Sequence, residues 1–207
     1  MIGPSPVTSA RGSNVADRGR RRGMSDMNII SRSLHDVGLA AWFGGTLFGA
    51  TGLNESASRQ AGSADGAKVA SAGWDAWTPV NLAAIGAHLV GSVGVLLANK
   101  SRVGGQSGVA TATIAKTAVL GASLAATAYS RVLGRRVSSK QNQPAKGGVD
   151  PAPGTSEDVA NAQRQLKVLQ WAIPALTGSM VVLNALHGEM QRPKQVLGGV
   201  LGRLTGS

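Results

Sequence analysis

Four apolar stretches constrain this chain more than anything else in it: Leu34 to Leu53, Pro79 to Leu97, Thr117 to Leu133 and Leu169 to Leu186. Each approaches the length that crosses a bilayer, because a hydrocarbon core about 30 Å thick takes about 20 helical residues. Charge is scarce inside them. There is none from Val37 to Leu53 and none from Val80 to Asn99. A helix of a water-soluble bundle repeats charged residues along its outer face, and these two have no face that wants water. The stretches predict an all-α fold: a polytopic membrane protein whose four-transmembrane-helix bundle occupies residues 28–190. A disordered basic tail over 1–27 precedes it and a second tail covers 191–207. The alternative is a soluble helical bundle, since the Ala and Gly that fill much of these runs are only mildly apolar.

The chain has no cysteine. Disulfides, thiolate catalysis and Cys-ligated zinc or iron–sulfur sites are thereby excluded. The net charge is +11. In a membrane protein such an excess reads first as topology and as attraction to anionic lipid. It does not read as nucleic-acid binding: the basic segments lack interleaved aromatics and carry no DNA-binding motif. Arg18, Arg20, Arg21 and Arg22 form the densest basic cluster, within a Gly-, Ser- and Pro-rich tail that offers little to bury. The next apolar run is too long for the core of a secretory signal and reads as a signal anchor. Met24 and Met27 are alternative translation starts to Met1.

Basic residues also set orientation. The N-tail holds six, the second loop three and the C-tail three, against two in the first loop and seven in the third. The excess places the N-terminus in the cytoplasm. A start at Met24 would remove five of the six and reverse the preference.

Within the spans the polar and small residues are patterned. Span 1 carries Gly38, Ala41, Gly45, Gly49 and Gly52 at intervals of three and four, including a GxxxG pair at Gly45 and Gly49. In lipid, close backbone approach supplies packing energy, so this stripe predicts a helix–helix contact. In span 2, Asn81, His88, Ser92 and Asn99 share one face, which should point into the bundle. Span 4 has a similar stripe in Gln170, Thr177, Asn184 and His187. Trp74 and Trp77 suit the membrane–water boundary, and Pro79 suits the first turn of span 2. Span 3 is Ala-rich and reads as a crossing or a shallow, re-entrant helix. The segment 134–167 reads as a flexible loop, with Ser156 as N-cap of an early start to span 4. Val196, Leu197, Val200, Leu201 and Leu204 predict a short amphipathic surface helix in the C-tail.

His88 is the histidine that lies well inside a span, and an intramembrane ionisable group is a functional candidate. It can serve as a haem ligand, metal ligand or proton relay, or as a neutral imidazole bonding to another helix. His35 and His187 lie at helix ends on the same side of a four-span topology, where they could meet; His88 has no evident partner. Those three are the candidate cofactor ligands, for haem if any. No metal site and no catalytic residue is predicted: there is no P-loop, no nucleophile elbow, no HExxH and no paired carboxylate within a span.

The run from Leu34 to Phe48, with Trp42, Phe43, Gly44 and Gly45 as a Trp-x-Gly-Gly element, resembles the first span of small four-helix bacterial membrane proteins, a loose group that includes the DUF4149/TMEM205-like and CopD-like proteins. The Gly- and Ala-rich spans with Arg-rich tails are also similar to those of actinobacterial proteins. The resemblance implies a bacterial plasma membrane location. Copper handling, implied for CopD-like proteins, would want Met or His ligands, and Met180 is the methionine that lies within a span. The expectation is a non-enzymatic accessory or scaffold subunit of a larger respiratory or envelope complex, its partners being the bilayer and a membrane protein or a second copy. The competing expectation is a small transporter or a haem- or metal-dependent redox carrier working through the intramembrane polar residues.

Overall fold

The computed structural model describes residues 10–59, 63–103, 107–140 and 143–190. Their fold is all-α. Helix α1 spans Ala10–Phe48, a π-helical turn comes next at Gly49–Leu53, and then come α2 (Asn54–Ser58), α3 (Ser63–Val103), α4 (Ser107–Ser138) and α5 (Glu157–Met190). There is no strand among the described residues; Ala145 and Pro151 form an isolated β-bridge.

Two helices are long and apolar enough to cross a membrane: α3 over Asp65–Ala98 and α5 over Glu157–Leu186. Less than a quarter of the apolar window of each is buried, so they present apolar surface outward. The other two long helices fall short for local reasons. In α1 the charge-free run starts at Val37, and the α-helix gives way to the π turn at Gly49. In α4 only 14 residues separate Lys116 from Arg131, a rise of about 21 Å. Both nonetheless expose large apolar side chains, Val37 and Phe48 on α1 and Ile114 and Val132 on α4.

Helices α1 and α3 form an antiparallel hairpin in close backbone contact. A Cβ built on Gly38 would lie 2.5 Å from the Ala84 carbonyl oxygen and 2.5 Å from the His88 nitrogen, and one on Gly91 would lie 2.3 Å from the His35 nitrogen. At these crossings only glycine fits. Further along the seam the glycines receive rings instead. Gly45 lies under the Trp77 indole and Gly49 under that of Trp74. The GxxxG pair thus makes a trough for two side chains on α3. Gly52, in the π turn, faces Phe48 at the end of α1.

Helices α4 and α5 form the second hairpin, with Leu133, Val137, Val159 and Ala162 as its buried core. Leu39, Trp42, Ala84 and Met180 make the cluster that joins the hairpins across α1 and α5. A Cβ on Gly178 would be 3.0 Å from the Phe43 ring. The helices therefore run in the order α3, α1, α5, α4 around the bundle, and the seam between α3 and α4 is the sparsely packed one.

Several expectations change here. The segment read as a disordered tail is helical from Ala10. A helix already nucleated by an apolar stretch extends one hydrogen bond per residue, favoured by Arg, Ala and Met and opposed by Gly12, Gly19 and Gly23. Pro79 lies inside α3, because the first loop is itself largely helical and α3 starts at Ser63. The segment read as a flexible loop over 134–167 is helix at both ends and folded in the middle. Ala145 and Val149 are buried, Lys167 Nζ donates to Asp150 Oδ1 at 2.7 Å, and the Lys146 N–H donates to the Asp150 carbonyl at 2.9 Å. Gly147 and Gly154 adopt φ of 118° and 89°, which side-chain-bearing residues rarely tolerate. Ser156 sits at the N-cap position of α5, but its hydroxyl is buried without a partner. The predicted C-terminal amphipathic helix lies outside the described residues.

Candidate functional site

The site is organised by the π turn. A helix that closes its bonds over five residues turns the next segment about the axis, and here the Asn54 N–H reaches back to the Gly49 carbonyl. The rotation carries Asn54 inward, where it is 4% exposed. Its Nδ2 donates to Gln170 Oε1 on α5 at 2.8 Å, and its Oδ1 accepts from the Trp74 indole on α3 at 3.0 Å. One amide thereby ties three helices at one end of the bundle.

Between these helices and α4 lies a cavity of about 460 Å³, within the size range of small-molecule sites. It tracks the loose α3–α4 seam. At one end are Leu82 and Ile85 of α3 and Leu124 of α4; at the other are Ser71, Ser138, Arg131 and Arg135, with Gly148 and Val149 of the folded connection. Leu82, Ala128, Val132 and Arg135 line the cavity and are exposed, so the space opens along the α3–α4 seam. Arg131 donates from Nη2 to Asp75 Oδ1 at 2.7 Å, and the Ser138 hydroxyl donates to Ser71 Oγ at 3.1 Å.

Four of the lining residues carry a buried polar atom with no protein partner: Trp77 Nε1, Asn81 Oδ1, Thr127 Oγ1 and Arg131 Nε. An unsatisfied buried polar group costs about 1–3 kcal/mol. Four together approach the whole stability of a typical domain, about 5–15 kcal/mol. Such groups persist where something other than the protein, water or a ligand, takes up the bond.

The histidines lie elsewhere. His88 is 1% exposed at the α1–α3 crossing, and its Nδ1 lies 2.9 Å from the His35 carbonyl oxygen. A carbonyl can only accept, so Nδ1 carries the proton. The His35 ring packs against it, with centroids 4.4 Å apart, and His35 Nδ1 lies 2.7 Å from Asp36 Oδ1. His88 thus has a partner that the sequence did not reveal, His35. The reason is register: the close approach at Gly38 and Gly91 brings both residues to one level of the hairpin. Two imidazoles with centroids only 4.4 Å apart and planes tilted by 40° leave no layer for a porphyrin between them, so the pair does not fit a bis-histidine haem. Among the described residues no three His, Asp or Glu side chains gather to hold a metal ion. The side chains of His187 and Asn99 lie outside the described part.

The polar stripes do not form one path. Asn81 and Gln170 reach the cavity. The Ser92 hydroxyl donates to the His88 carbonyl of its own helix at 2.7 Å, and the Thr177 hydroxyl to that of Ile173 at 2.9 Å. Asn184 is half-buried on α5. Sequence reasoning missed Asn54, Thr127 and Arg131. Asn54 has no pattern to flag it, Thr127 shares one side of the Ala-rich third span with Ser123 and Ser130 without reading as a site, and Arg131 reads as the end of that span and a loop charge.

No family model, no curated protein and no solved structure matches this chain.

Proposed function

We propose that this chain is a multi-pass protein of a bacterial plasma membrane, with four spans, that binds a small molecule in the cavity between its second and third spans and works as a carrier rather than an enzyme. The observation that carries the reading is that cavity: about 460 Å³, opening along the α3–α4 seam, and lined by four residues with unpartnered buried polar atoms. A scaffold has no use for a space that weakens its own packing. The apolar exterior supports the membrane location, since Phe48, Leu82, Ile114 and Leu186 on the four long helices all face outward, and large exposed apolar area marks contact with lipid or partners. The accessory-subunit reading keeps one support, the tight α1–α3 hairpin, which would dock as a rigid body. Mass spectrometry of small molecules released from protein purified in a mild detergent tests the two. A stoichiometric small molecule, lost on filling the cavity with Ala128→Phe, is the carrier result. A stoichiometric protein partner with an empty cavity would refute it.

A further inference from the structure

The cavity is polarised along its length. Its Leu82, Ile85 and Leu124 end has no charged lining residue among the described ones, whereas its other end is lined by Arg131 and the exposed Arg135. No carboxylate among the described residues lines it. Asp75 takes one terminal nitrogen of Arg131 and leaves its Nε unpartnered; Arg135 makes no ion pair among the described residues. The distance from Leu124 to Arg135 along α4 is eleven residues, about 16 Å. That is close to half of a hydrocarbon core about 30 Å thick, so the cavity is about one leaflet deep. Its open side includes Leu82 and Val132, both exposed and apolar.

From this we infer that the cavity holds a single-chain anionic amphiphile, an acyl chain with a carboxylate or phosphate head, taken sideways from the bilayer. The inference rests on the binding role proposed above and names the ligand class. The chain lies along Leu82, Ile85 and Leu124. The head meets Arg131 and Arg135, a charge-assisted pairing that planar guanidinium groups favour. Thr127 and Trp77, whose Oγ1 and Nε1 are unpartnered, line the same cavity.

The test uses the full chain in nanodiscs of zwitterionic lipid, with the lipid-facing Trp171 replaced by Phe. Trp171 is 52% exposed and would otherwise report probe dissolved in the bilayer. Quenching of the remaining tryptophans, of which Trp74 and Trp77 line the cavity, is measured with three brominated probes: a fatty acid, its methyl ester and a lysophosphatidic acid. The expected result is saturable quenching by one or both anionic probes, at least tenfold weaker for the ester. Which anionic probe binds tighter separates carboxylate from phosphate. Arg135→Gln should weaken the anionic probe about tenfold and leave the ester unchanged. Ala128→Phe should abolish saturation, with Ala128→Leu as the milder filling should the first not fold. Equal binding of acid and ester overturns the ligand class and leaves the binding role standing. No saturable quenching by any probe overturns the class. It overturns the binding role too if no small molecule is released from the purified protein.

Discussion

Replacing Gly38 with alanine tests the hairpin on which the rest of the bundle is built. The new methyl carbon would stand 2.5 Å from the Ala84 oxygen and from the His88 nitrogen, and 3.0 Å from the His88 Cα. All three are backbone atoms, so no side chain can swing away. Ordinary contact begins near 3.4 Å, so α1 and α3 must part by about 0.9 Å at this level. Overpacking of that kind costs about 1–3 kcal/mol. The same movement stretches the bond from His88 Nδ1 to the His35 carbonyl, now 2.9 Å, beyond useful length, for about 1 kcal/mol more. The total of about 2–4 kcal/mol corresponds to a drop of roughly 5–15 °C in Tm for a chain of this size. Gly44→Ala and Gly86→Ala are the controls. A Cβ at either position meets nothing within 4 Å, so each should melt within about 2 °C of the parent. Melting of the detergent-solubilised protein, monitored by circular dichroism, reads all three. Equal Tm values for Gly38→Ala and Gly44→Ala would refute the close backbone approach and, with it, the placement of His88 against His35.

Three further perturbations probe the other levels. Asn54→Ala removes both bonds of the buried amide and strands the Trp74 indole and the Gln170 amide; a loss of about 2–4 kcal/mol is expected, with a changed Trp74 emission maximum, and an unchanged melt would contradict the three-helix tie. Gly45→Ala must expel the Trp77 ring, whose nearest atom would lie 1.8 Å from the new carbon; adding Trp77→Ala should restore part of the stability, and a cycle without coupling would deny the trough. Asp75→Asn and Arg131→Gln should couple by only about 0.5–1 kcal/mol in a double-mutant cycle, because both side chains are partly exposed; a coupling above about 2 kcal/mol would mean that the pair is far drier than it stands here.

The legible part of this fold was its helical character and the two helices long and apolar enough to cross a membrane, and the reason is length. The runs at 79–97 and 169–186 fall inside helices α3 and α5, which pass a bilayer-crossing test, because hydropathy over many residues needs no knowledge of the neighbours. The small-residue stripe of span 1 was legible as a contact face, but not in kind. Sequence spacing says that Gly38, Gly45 and Gly49 share a face; it does not say that Gly38 meets backbone while Gly45 and Gly49 meet indoles. That depends on which α3 residue arrives at each level, which is a matter of register between helices.

The cavity was illegible for the same reason, and its position is a consequence of the packing. Glycine at the α1–α3 crossings draws those two axes together. The buried leucine, valines and alanine between α4 and α5 set the second hairpin. Trp42 and Met180, in the cluster between hairpins, hold α1 against α5. Three seams are closed by residues chosen for fit. The fourth receives Thr, Ser and Arg from α4 opposite Trp77, Thr78 and Asn81 from α3, and none of these can interlock as apolar side chains do without losing hydrogen bonds. Filling that seam with Leu, Val and Met at positions 81, 127 and 131 would be the cheaper solution for stability alone, since apolar replacement of buried polar groups is often neutral or stabilising and the Arg131 ion pair that is lost is partly exposed and so weak. The triple variant Asn81→Leu, Thr127→Val, Arg131→Met should therefore melt at or above the parent temperature while losing whatever the cavity binds. If it melts lower instead, the polar seam is part of what holds the bundle together, and the case for a ligand there falls.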